Sequence, residues 1–366
     1  MKRTIRCAII FILFIILIIP IPRIFGCTTF RLTDGSGIVF GRNYDWSLGV
    51  CYLMINKRNI VKTAFLDLPE KPARWVSKYG SLTFNQYGRE FPMGGINEAG
   101  LVVELMMLPA TRYPKPDDRP AITELSWIQY QLDNYSAVAE VIASDADIRI
   151  HHDGVPIHFL ICDRTGQAAA VEFLDGKMVC HTKESMPAAA LANSTYAESL
   201  QYLRRHRDWG GDKDLTLSNS SLDRFVRVAD MAHRYGKDEK PPLIDYAFHI
   251  LDAVNVNGHT QWSIVYDIPS LTVYYKTLAS PGLKWVTLDN FELGCKTPVM
   301  LLNADTDTSG DVSRQFTKYR TAINRDLIYR AYRQTEFLKN TPVEAMDQAA
   351  RYPESLVCRE KNPDLF

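Results

Sequence analysis

Residues 27–46 read Cys27-Thr28-Thr29-Phe30-Arg31-Leu32-Thr33-Asp34-Gly35-Ser36-Gly37-Ile38-Val39-Phe40-Gly41-Arg42-Asn43-Tyr44-Asp45-Trp46. β-Branched and aromatic residues flank an Asp-Gly-Ser-Gly break, which is the pattern of a hairpin with strands over residues 27–32 and 38–45. If the turn centres on Gly35-Ser36, opposed residue numbers sum to about 71, so Thr29 faces Arg42 and Cys27 faces Tyr44. Arg42 then shares a face with Cys27. Asp45 lies three residues beyond Arg42 and belongs on the other face of a regular strand, so both reach the thiol only if the strand bends.

Upstream, Lys2, Arg3 and Arg6 precede an apolar run over residues 7–19, ended by Pro20 and Pro22. A charged start and a short apolar run describe a secretory signal, and the run is too short for a comfortable membrane span. Gly26 places a small residue before Cys27, so residues 1–26 are expected to be removed, although Ile24 and Phe25 make the site imperfect. Removal takes four cations and no acid, moving the formal charge from 0 (42 against 42) to −4 (38 against 42). A weakly acidic chain carries no nucleic-acid signature. Six cysteines remain, namely Cys27, Cys51, Cys162, Cys180, Cys295 and Cys358, with no CxxC pair and no metal-ligand spacing. If Cys27 stays a free thiol, at least one more is unpaired or pairs between chains; connectivity is open.

Downstream, residues 81–108 read as strands around the turn Asn97-Glu98-Ala99-Gly100, and the apolar run 102–108 suggests a strand buried on both faces. Apolar positions from Ile122 to Ile142 fit a helix pair broken near Asp133-Asn134. Strands follow over residues 157–163, 168–173 and 177–181, helices over 196–207, 222–235 and 244–254, and a hairpin over 261–276. The tail from 315 to 350 reads as helical and charged. Runs of strands joined by short turns between blocks of helices favour antiparallel α+β layering, in one domain over residues 27–366.

A cysteine at the first position of a mature chain carries its own base, because its α-amine titrates near 7.7–8.0 a few ångströms from the sulfur. The stretch Cys27-Thr28-Thr29-Phe30 followed by Gly41-Arg42-Asn43-Tyr44-Asp45-Trp46 resembles the opening of the choloylglycine hydrolase family. That family includes penicillin V acylases and conjugated bile acid hydrolases, which are N-terminal nucleophile hydrolases. The resemblance continues at Gly95-Ile96-Asn97-Glu98-Ala99-Gly100-Leu101, Ala192-Asn193-Ser194-Thr195-Tyr196, Asp223-Arg224-Phe225-Val226-Arg227 and Ser263-Ile264-Val265-Tyr266-Asp267. Five motifs in order behind a cysteine at a signal cleavage point form a specific pattern.

The resemblance implies a four-layer αββα sandwich, two antiparallel sheets between helix layers, with no metal or cofactor. It implies Cys27 as nucleophile, Asp45 holding the α-ammonium, and Arg42 polarising the thiol. Asn193 is implied as an oxyanion donor, although Asn193-Ser194-Thr195 is also a glycosylation sequon and an N-cap pattern. Arg224 is implied beside the nucleophile, with Arg227 its helical neighbour. The second oxyanion donor is implied to be the backbone N–H of Met107, at a position where members carry a substrate-contacting Asn or Tyr. Met107 removes that side-chain contact and leaves the bile-salt or penicillin V preference open.

Residues 196–220 are short where Gram-positive members carry an assembly hairpin, so their tetramer is not implied and homo-oligomerisation stays open. His151-His152-Asp153 has no third ligand at useful spacing and reads as a solvated loop. Trp75, Trp127, Trp262 and Trp285 are candidates for an acyl pocket, with core packing as the default. The expected protein is a secreted or periplasmic amidase acting on a small acyl amide, such as an N-acyl homoserine lactone, a penicillin V-like compound or a conjugated bile acid. It would make no stable membrane association once the signal is removed. Two rivals remain. Ile24-Phe25-Gly26-Cys27 is a passable lipobox, which would make the chain a binding or anchoring lipoprotein, and an uncleaved signal would leave a tethered pseudoenzyme.

Overall fold

The hairpin forms in the expected register, with Thr29 opposite Arg42 and Thr28 opposite Asn43. Its strands are β1 (Thr28–Thr33) and β2 (Ile38–Asp45). The structure, a computed structural model, describes residues 26–35, 37–66, 69–235 and 241–361. The expected signal segment lies outside the described residues except for Gly26.

Among the described residues the hairpin sits inside a seven-stranded sheet. Ala190–Leu191 flanks β1, and Thr260–Asp267, Thr272–Thr277 and Lys284–Thr287 continue outward from β2. A nine-stranded sheet faces it. Its centre is built from Ser81–Asn85, β3 (Pro92–Asn97), β4 (Val102–Met107) and β5 (Ile157–Cys162). Except for a short parallel edge pairing in the first sheet, both sheets are antiparallel.

Helices cover the outer faces. α1 (Glu124–Asn134) packs on β3 and β4 of the nine-stranded sheet. α2 (Ser221–Arg234) and α3 (Leu243–Ala253) pack on the hairpin sheet. The four αββα layers expected from the family resemblance are thus present. They follow from two sheets that each present apolar residues on both faces: Phe40, Phe84, Met106 and Trp262 fill the space between the sheets and are at most 2 % exposed.

Sequence and structure part in a few places. Ile122 belongs to a two-residue strand, Ala121–Ile122, rather than to the helix, because the Thr123 side chain accepts from the Ser126 N–H and starts the helix there. The helix pair breaks after Asn134, so Asp133 stays helical and is buried. The tail is helical over Thr321–Gln334, here α4, and again over Val343–Arg351. Strands at Tyr52–Asn56 and Met300–Asn303 were not foreseen, and they pair with each other in the nine-stranded sheet. Cys295 and Cys358 form a disulfide, while Cys27, Cys51, Cys162 and Cys180 are free thiols.

Gly94 shows why β3 needs its glycines. Its strand neighbour across the ladder is Glu104, and a Cβ on Gly94 would collide with the Glu104 carboxyl. Gly94→Ala forces this crowded centre apart and should lower the unfolding free energy by about 1–3 kcal/mol. Urea titration of both proteins measures the difference.

Candidate active site

Cys27 sits one residue ahead of β1, at the end of the hairpin, and is 3 % exposed. Placement at a strand end resolves the opposite-face problem. Arg42 and Tyr44 point from β2 into the space between the sheets, whereas Asn43 points outward and donates to the Leu251 carbonyl of α3 at 2.8 Å. Asp45 shares the outward face, and the ladder shifts register opposite it, between Thr260 and Trp262. The two charged side chains therefore approach the cysteine from different sheet faces and meet different parts of it.

Arg42 is fully buried. Its Nη1 donates to the Met93 carbonyl at 2.8 Å and to Glu104, its Nη2 donates to the Leu105 carbonyl at 3.2 Å, and the guanidinium lies 4.9 Å from the Tyr44 ring centre. Glu104 also accepts the Tyr266 hydroxyl, and burial pushes its carboxyl up to about 7 against the pull of Arg42. Burial likewise raises the Cys27 thiol, and Arg42 is the largest influence that lowers it again. This is a cation set to favour thiolate in an otherwise apolar place.

Asp45 is the counterpart on the amine side. Its Oδ1 accepts the Thr260 hydroxyl, while its buried Oδ2 has no hydrogen-bond partner. That oxygen lies 2.6 Å from where a Cβ on Gly26 would stand, so it faces the residue preceding Cys27. Burial raises the Asp45 carboxyl to about 6. The cysteine sulfur contacts the Asp45 backbone carbonyl at 3.9 Å rather than the carboxylate.

Arg224 reaches the site from the first turn of α2. Its Nη1 donates to the carbonyls of Gly26 and of Cys27 (2.9 Å) and to the Thr28 hydroxyl, and its Nη2 donates to Asn193 Oδ1 at 2.9 Å. Its helical neighbour Arg227 instead donates to the carbonyls of Thr216 and Ser218, which separates the two arginines by role. With Oδ1 held by Arg224, Asn193 must present Nδ2, which donates to the Met107 carbonyl at 2.9 Å. Leu108 N–H donates to the Pro156 carbonyl, so Met107 and Ile157 form the next, non-hydrogen-bonded pair of the β4–β5 ladder. The Met107 N–H therefore points away from β5. Cys27, Arg42, Asp45, Asn193, Arg224 and Met107 are all brought to one place.

A buried histidine braces the asparagine. His158 Nε2 lies 2.8 Å from the Ala192 carbonyl and its Nδ1 lies 3.1 Å from Glu172, whose same oxygen accepts the Tyr196 N–H at 2.9 Å. One His–Glu pair thus holds the backbone on both sides of Asn193. Neither this pair nor Glu104 was foreseen. A lone acid in the apolar run Val102-Val103-Glu104-Leu105-Met106-Met107 was the available signal, since such a group needs a partner.

Beside Cys27 opens a cleft lined by Tyr44, Trp46, Tyr87, Met107, Tyr332 and Phe337 among others. Of the tryptophans considered from sequence, none lines it. Trp75, Trp127 and Trp262 are buried in the core, Trp262 stacked 4.1 Å behind Tyr44, and Trp285 packs beside Tyr274. His151 pairs with Glu70 at 3.0 Å, and among the described residues no group of three or more His, Cys, Asp or Glu could hold a metal.

Residues 27–301 match the sequence model of the linear amide C–N hydrolases, choloylglycine hydrolase family. The chain belongs to that family. It is 26% identical to the penicillin V acylase of Pectobacterium atrosepticum over 257 residues, 58% of this chain and 67% of that protein. Its fold is similar to that of the Agrobacterium tumefaciens penicillin V acylase, with a TM-score of 0.72 and 25% identity over 80% of this chain and 98% of that one. The Clostridium perfringens conjugated bile acid hydrolase shares the fold at a TM-score of 0.64 and 20% identity, over 80% and 97% of the two chains. As a family member this protein is a hydrolase of linear carbon–nitrogen amide bonds, built as an N-terminal nucleophile hydrolase sandwich.

The orphaned Asp45 oxygen has a measurable consequence. A carboxyl raised from 3.8 to about 6 binds its proton more tightly folded than unfolded, so its contribution to stability is complete at low pH and is lost as pH rises through about 6. In a form that retains Gly26, Asp45→Asn should therefore raise the melting temperature at pH 7.5 and have little effect near pH 3.5. In a form made to begin at Cys27, the new ammonium partners Asp45 and the gain at pH 7.5 should vanish. Thermal denaturation of the four proteins at both pH values reads this out.

Proposed function

We propose that the protein is exported, is cut between Gly26 and Cys27, and acts as a cysteine N-terminal nucleophile amidase on small acyl amides. The observation that carries this reading is the buried, unpartnered Asp45 oxygen facing Gly26. An unsatisfied buried carboxylate oxygen is costly, and a freed Cys27 ammonium is the donor that would satisfy it. The family match beginning at Cys27 supports the same cut.

In the proposed reaction, the thiol proton passes to the Cys27 α-amine as the sulfur attacks the substrate carbonyl. The oxyanion accepts hydrogen bonds from Asn193 Nδ2 and the Met107 N–H. The carbon–nitrogen bond breaks, the leaving amine takes the proton back from the α-ammonium, and the acyl group remains as a thioester on Cys27. Water attacks the thioester with the α-amine as base, releasing the acid and restoring the thiol. Asp45 orients the amine, and Arg42, held by Glu104, offsets part of the burial that favours the neutral thiol. Arg224 fixes Asn193 relative to the nucleophile.

The aromatic cleft receives the acyl side. Penicillin V-like compounds, N-acyl homoserine lactones and conjugated bile acids are the candidate classes. With Met107 rather than Asn or Tyr beside the oxyanion site, the first two are favoured. Export places the enzyme in the periplasm or outside the cell.

The intact mass of the exported protein should begin at an unmodified Cys27; a diacylglyceryl adduct or retained residues 1–26 would overturn the proposal. On the processed enzyme, Cys27→Ser should abolish amine release from phenoxyacetyl and N-acyl homoserine lactone amides. Asn193→Ala should lower kcat by roughly 10²–10³, the usual loss for one oxyanion donor.

A further inference from the structure

The cleft beside Cys27 contains one carboxylate, Glu124, the first residue of α1. It stands between the aromatic side chains and the loop at Gly154, where a Cβ would come within 2.7 Å of Glu124 Oε2. The groups that face it are the backbone N–H of Val155, the phenols of Tyr113 and Tyr332, and His151. Of these only His151 can carry positive charge, and its ring is engaged with Glu70 at 3.0 Å and Asp153 at 3.6 Å. Among the described residues Glu124 forms no ion pair with a lysine or arginine. Burial holds its carboxyl above the ordinary glutamate range. By contrast the buried Glu104 and Glu90 each have a cation in contact.

The cleft that holds this carboxylate mixes aliphatic and aromatic side chains. Trp46, Tyr87, Tyr332 and Phe337 all line it. The last two come from α4 and the residues after it, a segment beyond the family match, and Tyr87 fastens that segment through a 3.0 Å hydrogen bond to Thr335. A carboxylate with no lysine or arginine partner, in a cleft that also carries aromatic rings, is complementary to an ammonium: the charge is compensated by Glu124 and the cation gains further from the rings.

We infer that Glu124, with Tyr332 and the other aromatic side chains of this cleft, recognises an ammonium group carried on the acyl chain, so that the enzyme prefers ω-aminoacyl amides to uncharged acyl amides of equal length. This rests on the amidase reading above, in which the acyl group occupies this cleft while its carbonyl is attacked by Cys27.

The test uses the processed enzyme and paired p-nitroanilides: 4-aminobutanoyl, 6-aminohexanoyl and 8-aminooctanoyl against butanoyl, hexanoyl and octanoyl. At one chain length or more, kcat/KM should favour the amino member at least tenfold, chiefly through KM. Glu124→Gln, which keeps the shape and removes the charge, should lower kcat/KM for the amino member and raise it for the alkanoyl member, so that their ratio falls at least tenfold. Loss of folded protein cannot move the two substrates in opposite directions. Tyr332→Leu, which leaves Glu124 intact, should reduce the ratio several-fold. Preference for the alkanoyl member at every length, or a ratio indifferent to Glu124→Gln, would overturn the inference. Failure of the amidase reading looks different: no nitroaniline is released from any member, or release survives Cys27→Ala.

Discussion

The Arg42–Glu104 ion pair bridges the two sheets at the point where the rest of the site is assembled. Both side chains are fully buried, and removing one partner from such a pair typically costs about 3–5 kcal/mol because the other charge is left stranded. Much of the local architecture serves that pair. Gly94 leaves room for the glutamate, Tyr266 from the hairpin sheet donates to it, and the Met93 and Leu105 carbonyls accept from the arginine's Nη1 and Nη2. A cation held this firmly beside a buried thiol changes what the thiol can do, since burial alone drives it towards the neutral form.

Cys27, the proposed nucleophile, draws on its position at the end of a strand. Residues within a strand see one sheet face, but a residue just ahead of the strand is open to both. Arg42 reaches Cys27 from between the sheets, whereas Asp45 and Arg224 reach it from the helix side. Arg224 also ties the asparagine loop to the backbone of residues 26–28, and the His158–Glu172 pair braces that loop from behind. Asn193, the proposed oxyanion donor, is thus held by groups that make no contact with the thiol, which is how a site keeps its geometry while reacting atoms change.

The cleft beside Cys27, the proposed acyl pocket, has a different origin. Its inner wall comes from the hairpin and β4, but its outer wall comes from residues 332–338, far away in sequence and beyond the family match. The Cys295–Cys358 disulfide and the pairing of Val357–Cys358 with Ile60–Val61 anchor the chain after this wall. In the proposed function substrate preference is therefore separable from the chemistry: Cys27, Arg42, Asp45 and Met107 lie on or beside the two sheets, while part of the pocket comes from residues 332–338.

The sequence by itself was enough for the hairpin, its register and the α+β layering, because these depend on periodicity and turn chemistry that are local in the chain. The family motifs also located Cys27, Arg42, Asp45, Asn193, Arg224 and Met107, which the fold brings together. What only the tertiary structure decided were the relations between distant segments. Glu104 was visible as an odd acid in an apolar strand, but its partner lies 62 residues away on the other sheet. The tryptophans that composition offered for the pocket went to the core, and Trp46 with tyrosines and the tail took their place, because the direction of a large apolar side chain depends on which face its element buries. Whether a carboxylate is paired, like Glu104, or left facing a cleft, like Glu124, depends on three-dimensional neighbours alone, since burial and charge compensation are properties of the packed chain.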